Sequence, residues 1–158
     1  VIVRNCVSLR GHGGFVIGSE MSAGVENVWV ENCRFENTDR GIRIKTRYGR
    51  GGFVKNVHVQ NIHMINIKKE AIVINMKYDG EPIEKDIEFA QSDKAMPMIS
   101  NIKIHNIQCN GAQTALKLIG LGPDTIRDIF VTNIKIKADE GVQVNNIGNF
   151  QINNLNIN

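Results

Sequence analysis

The sequence predicts an all-β protein, a right-handed parallel β-helix (solenoid) of about six coils. Three observations carry that expectation. Five segments repeat an Asn, an alternation of hydrophobic residues and a second Asn: NVWVENC (27–33), NVHVQNI (56–62), NIKIHNI (101–107), DIFVTNI (128–134) and NFQINNL (149–155), with Asp in the first slot of the fourth. A second short alternation recurs between them: GFVIGS (14–19), GIRIKT (41–46), AIVINM (71–76), ALKLIG (115–120) and GVQVNN (141–146). Both alternations have period 2, which belongs to strands and not to helices.

Taken in order, the opening VIVRNC supplies a sixth second-Asn, so these positions are Asn5, Asn32, Asn61, Asn106, Asn133 and Asn154. The steps between them are 27, 29, 45, 27 and 21 residues. Aligning the second strands gives one apolar column, Phe15, Ile42, Ile72, Leu116 and Val142, and another two residues on, Ile17, Ile44, Ile74, Leu118 and Val144. Both are expected to point inward. The mixed column between them, Val16, Arg43, Val73, Lys117 and Gln143, is expected to point outward. Stacked coils lie about 4.8 Å apart, so an Asn recurring once per coil forms an amide ladder.

Rival solenoids fit less well. A leucine-rich repeat places its Asn one position later and has no second strand here, and a hexapeptide helix has far shorter coils. The long step from Asn61 to Asn106 contains DGEPIEKDIEFAQSDKAMP (79–97), which reads as a loop outside the coil. The chain is therefore one solenoid segment, 1–158, with one excursion.

Composition narrows the function. The net charge of +3 is too mild to argue for nucleic acid. No apolar run approaches the roughly 20 residues of a membrane helix. Cys6, Cys33 and Cys109 lack metal-ligand spacing. Cys6 and Cys33 follow equivalent Asn residues and share a column, as buried thiols or as a disulfide between coils. His58, His63 and His105 stand where other coils place Trp29, Arg34 and Lys103, which makes them solvent-facing. Trp29 points outward too, as ladder packing before a sugar platform. Asp79, Glu81, Glu84, Asp86 and Glu88 make the excursion acidic, without the spacing of a calcium loop.

One region gathers chemistry. In GHGG (11–14) a histidine is bracketed by glycines, which permit positive φ and close approach. His12 lies three residues before Phe15, and Asp39 lies three before Ile42, so the two share a column on neighbouring coils. Arg43 and Lys45 straddle the inward Ile44. From Arg34 to Lys55 seven basic residues stand against two acidic ones, a local excess larger than that of the whole chain. An Arg fork and a Lys point charge suit an anionic, carboxylate-bearing ligand.

GHG at 11–13 followed by RIK at 43–45, on successive coils of such a repeat, resembles glycoside hydrolase family 28, the polygalacturonase-like pectin hydrolases. The likeness continues through EAIVINMKY (70–78) and CNGAQTALKLIGL (109–121), and covers nearly the whole chain. It implies hydrolysis of α-1,4 bonds between galacturonic acid units, with inversion. It implies that His12 supports the catalytic carboxylates, that Arg43 and Lys45 bind the substrate carboxylate, and that Tyr78 lies at the substrate-binding edge. It implies no cofactor, an acidic polysaccharide (polygalacturonate or pectin) as partner, and a secreted or periplasmic location. The family's catalytic aspartates come from NTD and GDD motifs upstream of GHG, and neither precedes GHG here. Thr38-Asp39-Arg40 is the nearest echo, which makes Asp39 a further candidate. The expectation is a C-terminal portion that carries the substrate clamp, inactive by itself and stacked on upstream coils. The alternatives are a non-catalytic β-helix module of carbohydrate-binding, adhesin or tailspike type, and a pectate lyase.

Overall fold

The computed structural model describes residues 1–77, 96–122 and 124–158. Its strands are β1 (Ile2–Arg4), β2 (Val7–Ser8), β3 (Phe15–Ile17), β4 (Val25–Glu36), β5 (Ile42–Lys45), β6 (Phe53–Ile65), β7 (Glu70–Asn75), β8 (Met98–Ile119), β9 (Ile126–Asn145) and β10 (Phe150–Ile157). All of them pair in parallel within one sheet that curls into a right-handed parallel β-helix. Six levels stack through Val3, Val30, Val59, Ile104, Val131 and Ile152. The offsets between partners are those of the second-Asn positions.

The Asn residues are corners as well as ladders. Among the described residues every non-glycine with positive φ is an Asn, apart from Asp128. Asn tolerates the left-handed region better than other side-chain-bearing residues. Strand pairing skips these positions: Glu31 pairs Gln60 and Cys33 pairs Ile62, while Asn32 and Asn61 turn the chain between them. The freed side chains bond along the axis. Asn61 donates to Asn32 at 3.0 Å, and Asn106 donates to Asn61 at 2.7 Å. A parallel ladder runs from Asn101 through Asn56 to Asn27. Cys33–Glu36 and its equivalents form a stretch of their own beyond the corner.

The predicted columns are those observed. Phe15, Ile42, Ile72, Leu116 and Val142 pair in succession, as do Ile17, Ile44, Ile74, Leu118 and Val144. Ile42, Ile44, Ile72, Ile74 and Leu118 are fully buried, and burying such a side chain stabilises by about 1.5–3 kcal/mol. Two departures appear. Val142 and Val144 are exposed, because β10 covers β9 only from Ile129 to Ile136. Val73 is buried although its column points outward. The long side chains of Arg43 and Lys117 flank it in that column, and their apolar stems shield a small neighbour.

Candidate functional site on the turns before β3 and β5

Two successive turns are pinned together by their backbones. The Asp39 N–H donates to the Gly11 carbonyl at 2.8 Å, and the Gly14 N–H donates to the carbonyls of Arg40 at 2.9 Å and Gly41 at 3.0 Å. The glycines make this approach feasible. Gly11 has φ +123°, and a Cβ on Gly14 would fall 2.1 Å from the Phe35 ring. Register therefore sets His12 beside Asp39, as the column count requires.

His12 Nδ1 lies 2.9 Å from Asp39 Oδ2, and Lys68 Nζ lies 3.0 Å from Asp39 Oδ1. Facing a carboxylate, Nδ1 is the donor, and the other ring nitrogen, Nε2, points elsewhere. The His12 side chain is 95% exposed. The bond from His12, then that from Lys68, holds the Asp39 carboxyl down at about 2. Asp39 is therefore ionised at neutral pH, a fixed anion that orients an imidazole. Arg10, Gly11, His12, Asn37, Asp39 and Lys68 line a cleft of about 350 Å³.

The rest of the Thr38–Gly41 turn is structural. Thr38 is fully buried, and its hydroxyl donates to the Arg40 carbonyl at 2.8 Å. Arg40, only 8% exposed, pairs with Glu70 at 2.7 Å. Asn37-Thr38-Asp39 spells the letters NTD, but Asn66 donates to Asn37 in a third ladder at 2.8 Å. These three residues are occupied in holding the turn and His12.

Arg43 and Lys45 stand on β5, four and six residues past Asp39, on either side of buried Ile44. Arg43 lies between Val16 and Val73 in its column, and Lys45 lies beside Asn75. A Cβ on Gly18 would fall 1.9 Å from the Lys45 carbonyl oxygen, so the preceding coil has room for Lys45 only because residue 18 is glycine. Tyr78 and most of the 79–97 excursion lie outside the described residues.

The basic run is not a single patch. Arg34 pairs with Glu36, Arg40 with Glu70, Arg50 with Glu20 and Lys55 with Glu26. Lys68 was not anticipated, although the Asn37–Asn66 ladder carries the signal, since the same 29-residue step takes Asp39 to Lys68. Elsewhere the sequence reading needs three corrections. The cysteines are free and Cys33 is buried, as expected, but Cys6 is exposed rather than buried. His58 is half-buried and stacks on Trp29, with ring centroids 5.5 Å apart, and burial, then Lys103, lowers its pKa. His105 is solvent-facing as expected, but it pairs with Gln60 and Thr132 and not in the column of Lys103. His63 is solvent-facing as expected.

Among the described residues no three His, Cys, Asp or Glu side chains gather to hold a metal ion. No helix among them is long and apolar enough to cross a membrane.

The model for glycosyl hydrolases family 28 matches residues 1–157. The chain belongs to glycoside hydrolase family 28. A probable polygalacturonase of Vitis vinifera is 29% identical over 137 residues, 86% of this chain and 27% of that protein. An exo-poly-alpha-D-galacturonosidase of Dickeya chrysanthemi is 25% identical over 92% of this chain and 25% of its own length. A hyperthermoactive exopolygalacturonase from Thermotoga maritima superposes with a TM-score of 0.87 at 31% identity, over 99% of this chain and 34% of that one. The chain thus spans about a quarter to a third of the length of these family members. Membership in this family sets aside the pectate lyase.

Proposed function

We propose that this chain is the substrate-clamping part of a pectin-directed glycoside hydrolase that cleaves α-1,4-galacturonosyl bonds by inversion. The observation that carries this reading is the His12–Asp39 pair on two pinned turns, with Arg43 and Lys45 on the strand that leaves them. Arg43 and Lys45 hold the substrate carboxylate. His12, oriented by Asp39, presents Nε2 towards the reacting region and supports the acid–base carboxylates. An inverting glycosidase needs two carboxyl groups about 6.5–9.5 Å apart, one of them protonated at working pH. Asp39, ionised down to about 2, is unsuited to be that acid. An isolated 1–158 polypeptide is therefore expected to be inactive on polygalacturonate. Tyr78 extends the binding edge in this reading, and an extracellular or periplasmic setting suits a polymeric substrate.

The test uses the full protein that contains this segment. Arg43→Ala and Lys45→Ala are expected to lower kcat/KM on polygalacturonate by about ten- to a hundredfold, the value of a charged hydrogen bond. The loss should be much smaller on methyl-esterified pectin, which has no charge to clamp. Equal losses on both polymers would make the pair structural.

A further inference from the structure

The outward column that contains Arg43 contains one other cation, Lys117, two coils further along. Arg43 pairs with Val73, and Val73 pairs with Lys117. Their strands present the same face, since Ile42, Ile44, Leu116 and Leu118 all point into the core. Two coil steps separate them by about 9–10 Å along the axis. A 1,4-linked hexopyranose advances its chain by about one coil spacing, so this separation matches every second sugar. In a uronate chain of nearly two-fold twist, every second carboxylate emerges on the same side.

Among the described residues the charge of Lys117 is also incompletely used. Its nearest anion among them is Glu70, whose Oε1 lies 3.9 Å from Lys117 Nζ, beyond hydrogen-bond distance. Glu70 meanwhile takes Arg40, buried and closer, on its other oxygen at 2.7 Å. The Lys117 side chain is 31% exposed, so its ammonium reaches solvent from a partly shielded strand. Val73 between the two cations is apolar and presents no charge to the intervening sugar.

We propose that Lys117 reads a second substrate carboxylate, two sugars away from the one held by Arg43. This rests on the reading that Arg43 binds uronate. The column would then measure chain length as well as charge: a dimer reaches one cation, whereas a trimer or longer reaches both. Glu70 positions Lys117 without neutralising it.

The experiment measures inhibition constants of di- and tetragalacturonate as competitors of polygalacturonate hydrolysis by the full protein. Lys117→Gln is expected to weaken tetragalacturonate about three- to tenfold while leaving digalacturonate within twofold. Arg43→Gln should weaken both. Lys117→Arg, which keeps the charge, should restore discrimination by length and controls for folding. If Arg43→Gln weakens both oligomers and Lys117→Gln weakens neither, or weakens both equally, the second subsite is overturned while the clamp stands. If neither variant alters either constant, or the full protein does not hydrolyse polygalacturonate, the clamp itself is overturned.

Discussion

The coils before residue 78 and those after residue 95 are built on the same columns, yet they turn differently from one face to the next. In the earlier coils β4 ends at Glu36 and β5 begins at Ile42, while β6 ends at Ile65 and β7 begins at Glu70. In the later coils β8 and β9 run on through the corresponding region as single strands of 22 and 20 residues. Only a register shift between Asn110 and Ala112 marks the corner there, with Gly111 at φ +97°. Where the ladder breaks, side chains leave the sheet, and His12, Asp39 and Lys68 meet. Where it continues, the same slots pair in register, as Ala112 with Ala138 and Thr114 with Glu140. A scaffold displays chemistry where its own hydrogen bonds release the chain.

The largest expected effect tests whether the shared columns are equally stabilising at both ends. Ile74 and Val144 occupy one column, the first fully buried and the second 44% exposed. Ile74→Ala should cost about 2–5 kcal/mol by denaturant titration. Val144→Ala should stay within about 0.5 kcal/mol, as surface changes do. Similar losses would mean that β9 is covered in solution beyond Ile136.

A smaller effect separates two glycines that the sequence makes equivalent. Gly41 and Gly141 each open a second strand, GIRIKT and GVQVNN. A Cβ on Gly41 would lie 2.2 Å from Met64 Sδ and 2.4 Å from the Ala71 carbonyl oxygen, whereas one on Gly141 meets nothing within 4 Å. Gly41→Ala should cost about 1–3 kcal/mol through overpacking. Gly141→Ala should be neutral or stabilising by up to about 1 kcal/mol, through the entropy of the unfolded chain. Thermal melts of the two variants suffice, and equal shifts would remove the distinction between the halves.

This pair also shows what the sequence reveals and what it hides. The fold is legible because period-2 alternation and Asn spacing are local features that every coil repeats, and the columns of Ile44 and Ile74 follow from counting. His12 and Asp39 are legible for the same reason, since both lie three residues before a column member. Environment is not periodic. Gly41 and Gly141 read alike, and so do Ile74 and Val144, although the coil that covers one leaves the other bare. The burial of Val73 depends on neighbours in flanking coils, and Lys68 reaches Asp39 from a position one residue off the column counted back from Ile72. Asn reads as a ladder former, while its left-handed φ, which makes the corner, has no separate mark in the sequence.

The smallest effect lies at the turn where the earlier coils part from the later ones. Asp39 is held at about 2, below its ordinary 3.8, chiefly by His12 and next by Lys68. A carboxyl whose folded pKa is depressed contributes stability that is fully present above its unfolded value and is lost as pH falls through the folded one. The window therefore runs from about pH 4 down to about pH 2. Because Asp39 faces solvent, the stability change should be slight, and the titration itself is the better observable. Carboxyl NMR should place the Asp39 midpoint near 2 in the intact protein. His12→Ala should move it upward further than Lys68→Ala does, because the His12 bond is the larger cause. Were Asp39 to titrate near 4 with His12 present, the carboxylate would not be holding the ring. The meeting of turns in the early coils would then be a feature of the backbone alone, and His12 would have to be oriented from outside this segment.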